Sequence, residues 1–275
     1  MLKDITIGQY FPGHSVVHRM DPRMKLILTI FYIVILFVVS NPFGFIPSIL
    51  FLMGAYMVSR IPLKMIAKSI KPILPIILFT SILNLFFING ESVIFEIGPI
   101  HMTWQGVYTA ARMALRLVLL IAGTSLMTYT TSPISLTDAI ERLLGPLKVV
   151  HFPVHELAMM MSIALRFIPT LVEETDKIMS AQKARGADMD SGGLIHRAKA
   201  LVPILIPLFI SAFRRAEELA LAMECRCYRG GEGRTRMKQL RYSRLDLIGL
   251  LVTVILLAAV IVLNLIPMPF LEWLL

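Results

Sequence analysis

Cysteine is nearly missing from this 275-residue chain. Only Cys225 and Cys227 occur, and two thiols two positions apart imply no disulfide framework. No Gly-x4-Gly-Lys-Ser/Thr loop is present to cradle nucleotide phosphates, so any linked nucleotide hydrolysis is expected in another chain. Aromatics make up 9% of the residues and do not interleave with the basic stretches, which argues against nucleic acid as a partner. Residues 1–10 lack the basic n-region and apolar h-region of a cleavable signal. After Arg244 there is no Lys or Arg at all.

What the chain has in excess is apolar surface. It is 56% hydrophobic with a mean hydropathy of +0.74, against roughly 45–50% apolar in an ordinary soluble domain. The net charge of +9 then fits attraction to the negatively charged inner leaflet of a membrane. A helix needs about 20 apolar residues to cross the hydrocarbon core. Five stretches qualify as crossings: residues 25–40, 45–59, 72–88, 105–129 and 245–266. Asn41-Pro42 ends the first, and Arg60 with Pro62 ends the second. Pro75 falls in the first turn of the third, where proline is tolerated.

Lys and Arg between the spans set the expected orientation. Lys3, Arg19, Arg23 and Lys25 precede the first span, and Arg60, Lys64, Lys68 and Lys71 lie between the second and third. The connection at 89–104 carries Glu91 and Glu96 but no basic residue. Of the 27 Lys and Arg residues, 17 fall in a long insert, residues 132–244. An odd number of crossings therefore places the N-terminus and the insert in the cytoplasm. The C-terminus, with its interface-like Leu271-Glu272-Trp273, is expected outside.

The expected architecture is an all-α membrane protein in three parts. Residues 1–131 form an N-terminal membrane bundle of four transmembrane helices, 132–244 a cytoplasmic region of three helices, and 245–275 a final transmembrane helix. Within the insert, 135–144 reads as a short helix stopped by Gly145-Pro146. Residues 156–183 read as a long helix, Met-rich and apolar before Pro169 and then acidic through Glu173, Glu174 and Asp176. The apolar run 201–213 is too short to cross and is expected to bend at Pro203 and Pro207. It leads into an amphipathic helix from Arg214 to Met223. A plain amphipathic membrane anchor would explain such segments as well.

An anchor has no need of two matched ends, however. One long segment closes on Ala184-Arg185-Gly186 and the other on Cys225-Arg226-Cys227. A cation in a helix's last turn gains roughly 0.3–1 kcal/mol from the dipole, so capping alone is one explanation. The other is docking, because small flanking residues leave the guanidinium free to enter a groove, and its planar fork suits carboxylates as a lysine cannot.

Elsewhere, Arg112 and Arg116 lie one turn apart in the fourth span and face one side together. They are expected to pair with Glu91, Glu96 or backbone carbonyls rather than to line an ion path. His151, His155 and Glu156 do not make a metal site, since Pro153 intervenes and no further ligand follows at helical spacing. Cys225 and Cys227 are a weak metal or redox signal, and the methionines read as adaptable packing.

Five runs together resemble the transmembrane T component of energy-coupling factor (ECF) transporters. They are Met20-Asp21-Pro22-Arg23-Met24-Lys25-Leu26, Ala164-Leu165-Arg166-Phe167-Ile168-Pro169, Glu173-Glu174, Ala181-Gln182-Lys183-Ala184-Arg185-Gly186 and Ala222-Met223-Glu224-Cys225-Arg226-Cys227-Tyr228. The resemblance covers essentially the whole chain. It implies two Ala-Arg-Gly motifs at the ends of crossed coupling helices, each engaging one of two ABC ATPase subunits. It also implies a substrate-binding S component, with uptake of vitamins or other micronutrients across the bacterial plasma membrane. ATP and Mg would be bound by the ATPases, with no cofactor, metal or catalytic residue in this chain. Membrane lipid would surround the protein.

Ala184-Arg185-Gly186 matches that motif fully, while Cys225 and Cys227 replace Ala and Gly around Arg226. Arg166, Pro169 and Glu224 carry over as structural residues of the coupling helices. Two alternatives are a dedicated T component of a cobalt or nickel importer and, from a different class, a secondary transporter. The latter would need internal repeats and broken spans, and neither is apparent.

Overall fold

A computed structural model describes residues 10–88, 93–97, 100–150, 152–187, 193–231 and 239–265. Expectations for Lys3, Glu91, His151 and the end at Leu271-Glu272-Trp273 lie outside them. Short helix α1 (Val16–Arg19) leads into α2 (Pro22–Val38), then α3 (Phe45–Ser59), α4 (Leu63–Ile70) and α5 (Leu74–Phe87). An antiparallel hairpin of β1 (Val93–Ile97) and β2 (Ile100–Thr103) follows, where the sequence suggested only a loop. Helices α6 (Trp104–Thr130), α7 (Pro133–Leu143), α8 (Val154–Ala184), α9 (Leu194–Cys225) and α10 (Arg244–Asn264) complete the described chain. Among the described residues the protein is all-α apart from the hairpin.

These elements form two compact units, Gly8–Ser132 with Leu240–Leu275, and Pro133–Gln239. In the first, α2, α3, α6 and α10 enclose a core containing Tyr32, Leu36, Phe45, Tyr56, Tyr129 and Val260. Tyr56 Oη donates to the Ala122 carbonyl at 2.7 Å, so a buried hydroxyl is satisfied. Gly123 is required beside it: a Cβ there would lie 2.3 Å from the Tyr32 ring.

Polar knots close this bundle at both ends. At the start of α2, Asp21 is the N-cap and accepts from the Arg23 amide at 2.9 Å, with Pro22 in the first turn. The Asp21 amide donates to Asp246 Oδ1 at 2.8 Å, and Asp246 Oδ2 accepts from the Ser243 amide at 2.6 Å in the capping box of α10. Lys25 Nζ donates to the Thr130 carbonyl at the end of α6, 2.8 Å away.

At the other end, the last carbonyls of α2 have no helical partners and are met by side chains from α6 and α10. Asn264 Nδ2 donates to Val38 O at 2.8 Å, Arg116 Nη2 to Val39 O at 2.9 Å and Arg112 Nη1 to Ser40 O at 3.2 Å. The two intramembrane arginines thus serve carbonyls. Because Asp21 meets Asp246 and Val38 meets Asn264, α2 and α10 run parallel, with both N-termini at one end. Five crossings require that relation between the first and the last.

Five described helical runs are long and apolar enough to cross a membrane: Pro42–Ser59, Lys64–Phe87, Trp104–Thr130, Val154–Ala184 and Arg244–Asn264. Four coincide with expected spans. The fifth is α8, which qualifies through its apolar first half, although the sequence reading placed it in the insert. Helix α2, the expected first span, has 17 residues, or about 25 Å at ~1.5 Å per residue. It falls short of a ~30 Å core, yet it matches α10 end to end. The chain is a multi-pass membrane protein.

Candidate functional site

Helices α8 and α9 belong to the second unit and pair antiparallel. Glu174 of α8 accepts from Arg215 Nη2 at 2.8 Å and from the Ser211 hydroxyl, both on α9. About two turns further on, Gln182 Nε2 donates to the Pro203 carbonyl at 3.3 Å. That carbonyl is the one Pro207 leaves open, because proline has no amide hydrogen for the residue four positions back. Gln182 supplies the missing donor from a neighbouring helix.

Accordingly α9 is continuous over 32 residues, Leu194–Cys225, with Pro203 and Pro207 inside it. The sequence reading had ended the apolar run at Phe213 and begun a separate helix at Arg214. Pro169 likewise lies inside α8, which continues to Ala184.

The two helices end alike. At the end of α8 the Gly186 amide donates to Lys183 O at 3.0 Å and the Ala187 amide to Gln182 O at 3.0 Å. At the end of α9 the Cys227 amide donates to Glu224 O at 2.8 Å and the Tyr228 amide to Met223 O at 3.0 Å. Both are Schellman closures, with the arginine at the C-cap and the next residue left-handed. Gly186 has φ 85° and Cys227 φ 55°. Cys227 therefore takes the same left-handed conformation as Gly186, at a backbone cost of roughly 1–2 kcal/mol.

Ala184, Arg185, Gly186, Cys225, Arg226 and Cys227 are all exposed. Antiparallel pairing sends the tips to opposite ends of the pair. Arg226 lies beside Met159 and Ser162 near the start of α8, about 26 residues from Arg185, or roughly 39 Å along the helix.

Arg166 is exposed and lines a cleft of about 780 Å³ between α8 and α9, together with Arg226 and Arg229. The crossing is fastened by Glu174 and Arg215, which the sequence reading left without a role. Glu174 stood in the quoted Glu173-Glu174 run, but its partner is 41 positions away. Glu224 contributes its carbonyl to the α9 closure; its side chain is exposed. His155 Nδ1 lies 3.1 Å from Glu141 Oε1, tying the start of α8 to α7. Among the described residues no group of three His, Cys, Asp or Glu is placed to hold a metal ion. Cys225 and Cys227 are free and exposed.

Fold and site together define a helical membrane protein with two matched cationic helix ends. A family model described as "Cobalt transport protein" (CbiQ) matches residues 13–237. The "Energy-coupling factor transporter transmembrane protein EcfT" of Ruminiclostridium cellulolyticum is 55% identical over 264 residues, 96% of this chain and 98% of that protein. Proteins of the same name from Thermosediminibacter oceani and Bacillus subtilis are 56% identical over 252 residues and 48% identical over 261. These alignments span 92% and 95% of this chain, and 95% and 98% of the relatives. The chain belongs to the CbiQ family and, within it, is an energy-coupling transmembrane component of ECF transporters.

Proposed function

We propose that this protein is the non-catalytic coupling subunit of an ATP-driven importer, passing movement of two cytoplasmic ABC ATPases to a substrate-binding S component. Arg185 and Arg226 each dock in an acidic groove of one ATPase. The identical closures of α8 and α9 support this reading most directly, since each presents an exposed guanidinium at a fixed helix end. ATP and Mg are held by the ATPases. The substrates are vitamins or other micronutrients chosen by the S component. Helices α7 to α9 lie at the cytoplasmic side of the bacterial plasma membrane, with the N-terminus inside and the C-terminus outside, as the distribution of Lys and Arg favours. Helix α8 then spans nothing, and its charged second half reaches into the cytoplasm.

In the mechanism, the ATPases approach on binding ATP and separate after hydrolysis, which shifts one tip against the other. Long helices joined by Glu174–Arg215 and Gln182–Pro203 move as rigid elements rather than fraying. Their apolar halves, rich in methionine, transmit the shift to the S component.

Affinity purification of the assembled complex with mass spectrometry of the co-purifying chains tests this. Two ATPase subunits and several small membrane proteins are expected. The family model's description favours a second reading, a dedicated cobalt importer, which a single fixed partner set would support. Purification without any ATPase would reject both.

A further inference from the structure

The two tips share a backbone but not their surroundings. Among the described residues, and its own chain neighbours apart, no atom lies within 4 Å of where a Cβ on Gly186 would be. Cys227 instead lines the cleft of about 780 Å³ between α8 and α9. Its floor is apolar, from Ile163 and Phe167 of α8 and Met223 of α9, and its rim carries Arg166, Arg226 and Arg229.

All three rim arginines are exposed, and among the described residues none is hydrogen-bonded to a carboxylate. Arg23 and Arg215, by contrast, hold Asp21 and Glu174. Like charges gathered over a low-dielectric wall repel one another and focus a positive potential into the cleft. A carboxylate partner would relieve that repulsion through paired N–H···O bonds.

The cleft is also braced. Glu174–Arg215 ties α8 to α9 further along the pair. After the tip, the chain returns to the start of α8, where a Cβ on Gly231 would lie 2.5 Å from the His155 ring. His155 is in turn held by Glu141. Arg229 sits on this returning stretch and is thereby held at the rim. A small anion would satisfy the rim and leave the floor bare; an amphipathic helix covers both, with carboxylates one turn apart above its apolar face.

We propose that this cleft receives an acidic, apolar-faced helix from one of the two ATPase subunits, so that the second tip binds its partner over a surface and the first binds by a single arginine. This rests on the docking reading above and adds Arg166, Arg229 and the cleft floor to it. The two tips are then unequal, and the one carrying Cys225-Arg226-Cys227 chooses its ATPase.

The test uses the full complex with a photo-reactive phenylalanine analogue at Phe167, and separately the variants Arg229→Glu and Arg166→Glu. The crosslink is expected on one ATPase subunit per complex, at a helix bearing Asp or Glu. Arg229→Glu is expected to weaken retention of that subunit about tenfold or more, leaving the other in place. Arg229 lies beyond the end of α9, so Arg229→Glu leaves the helix pair folded even if Arg166→Glu does not. Crosslinks to lipid, to the S component or equally to both ATPases would overturn the proposal, as would undiminished binding by Arg229→Glu. Arg185→Glu with Arg226→Glu separates the two claims. If that pair releases the ATPases while Arg229→Glu does not, only the cleft fails; if the pair releases nothing, docking itself fails.

Discussion

The two compact units treat charge in opposite ways. In the bundle of α2, α3, α6 and α10, the buried charges Asp21, Lys25 and Asp246 all find partners inside the unit. In the Pro133–Gln239 unit, Arg166, Arg185, Arg226 and Arg229 are exposed and bonded to no carboxylate among the described residues. Burial forces the first arrangement, because a charge out of water is costly unless it is paired. The second is stable in water but leaves cationic sites open. The membrane unit pairs its buried Asp21, Lys25 and Asp246 internally, while the helical unit leaves exposed guanidinium groups without a carboxylate among the described residues.

Breaking the internally paired side is expected to have the largest effect on stability. Asp246→Ala strands the buried amide of Asp21 and removes the partner of the more exposed Ser243 amide at the junction of α2 and α10, at a cost of about 1–3 kcal/mol, most of it from the buried donor. Thermal unfolding of the detergent-purified protein should show a marked loss, and an unchanged transition would mean the knot does not hold the bundle. Glu174→Ala removes the fastening of α8 to α9 and is expected to cost about 1 kcal/mol, since the pair is partly exposed. Spin-label distances between the tips should broaden while the bundle stays folded. The smallest effect sharpens the likeness of the two ends. Cys227→Gly relieves a left-handed non-glycine residue and is expected to stabilise α9 by roughly 1 kcal/mol, whereas Gly186→Cys weakens α8 by a similar amount. Hydrogen exchange at the Tyr228 and Ala187 amides reads both.

Much of the site is legible in the sequence, because its signals are local. Gly186 after Arg185 announces a helix end, and Asp21-Pro22 announces a helix start. The apolar runs announce four of the five long membrane-compatible helices. Contacts between distant residues were not legible. Nothing near Pro207 reveals that Gln182 will satisfy the carbonyl it exposes, so α9 read as broken when it is continuous. Glu174 and Arg215 each look like ordinary surface charges until antiparallel pairing brings them together. Arg112 and Arg116 were read as bonding to carboxylates or carbonyls; that they serve Val39 and Ser40 follows from where α2 stops. The hairpin at Val93–Thr103 was missed because short β-rich runs between helices carry little periodic signal.

The most direct measurement is ATPase retention by the protein carrying Arg185→Glu and Arg226→Glu together. Co-purification from membranes in which the variant inserts normally should lose both ATPases and abolish uptake. Retention of both subunits with unaltered transport would contradict the claim that these two helix ends are where the ATPases take hold.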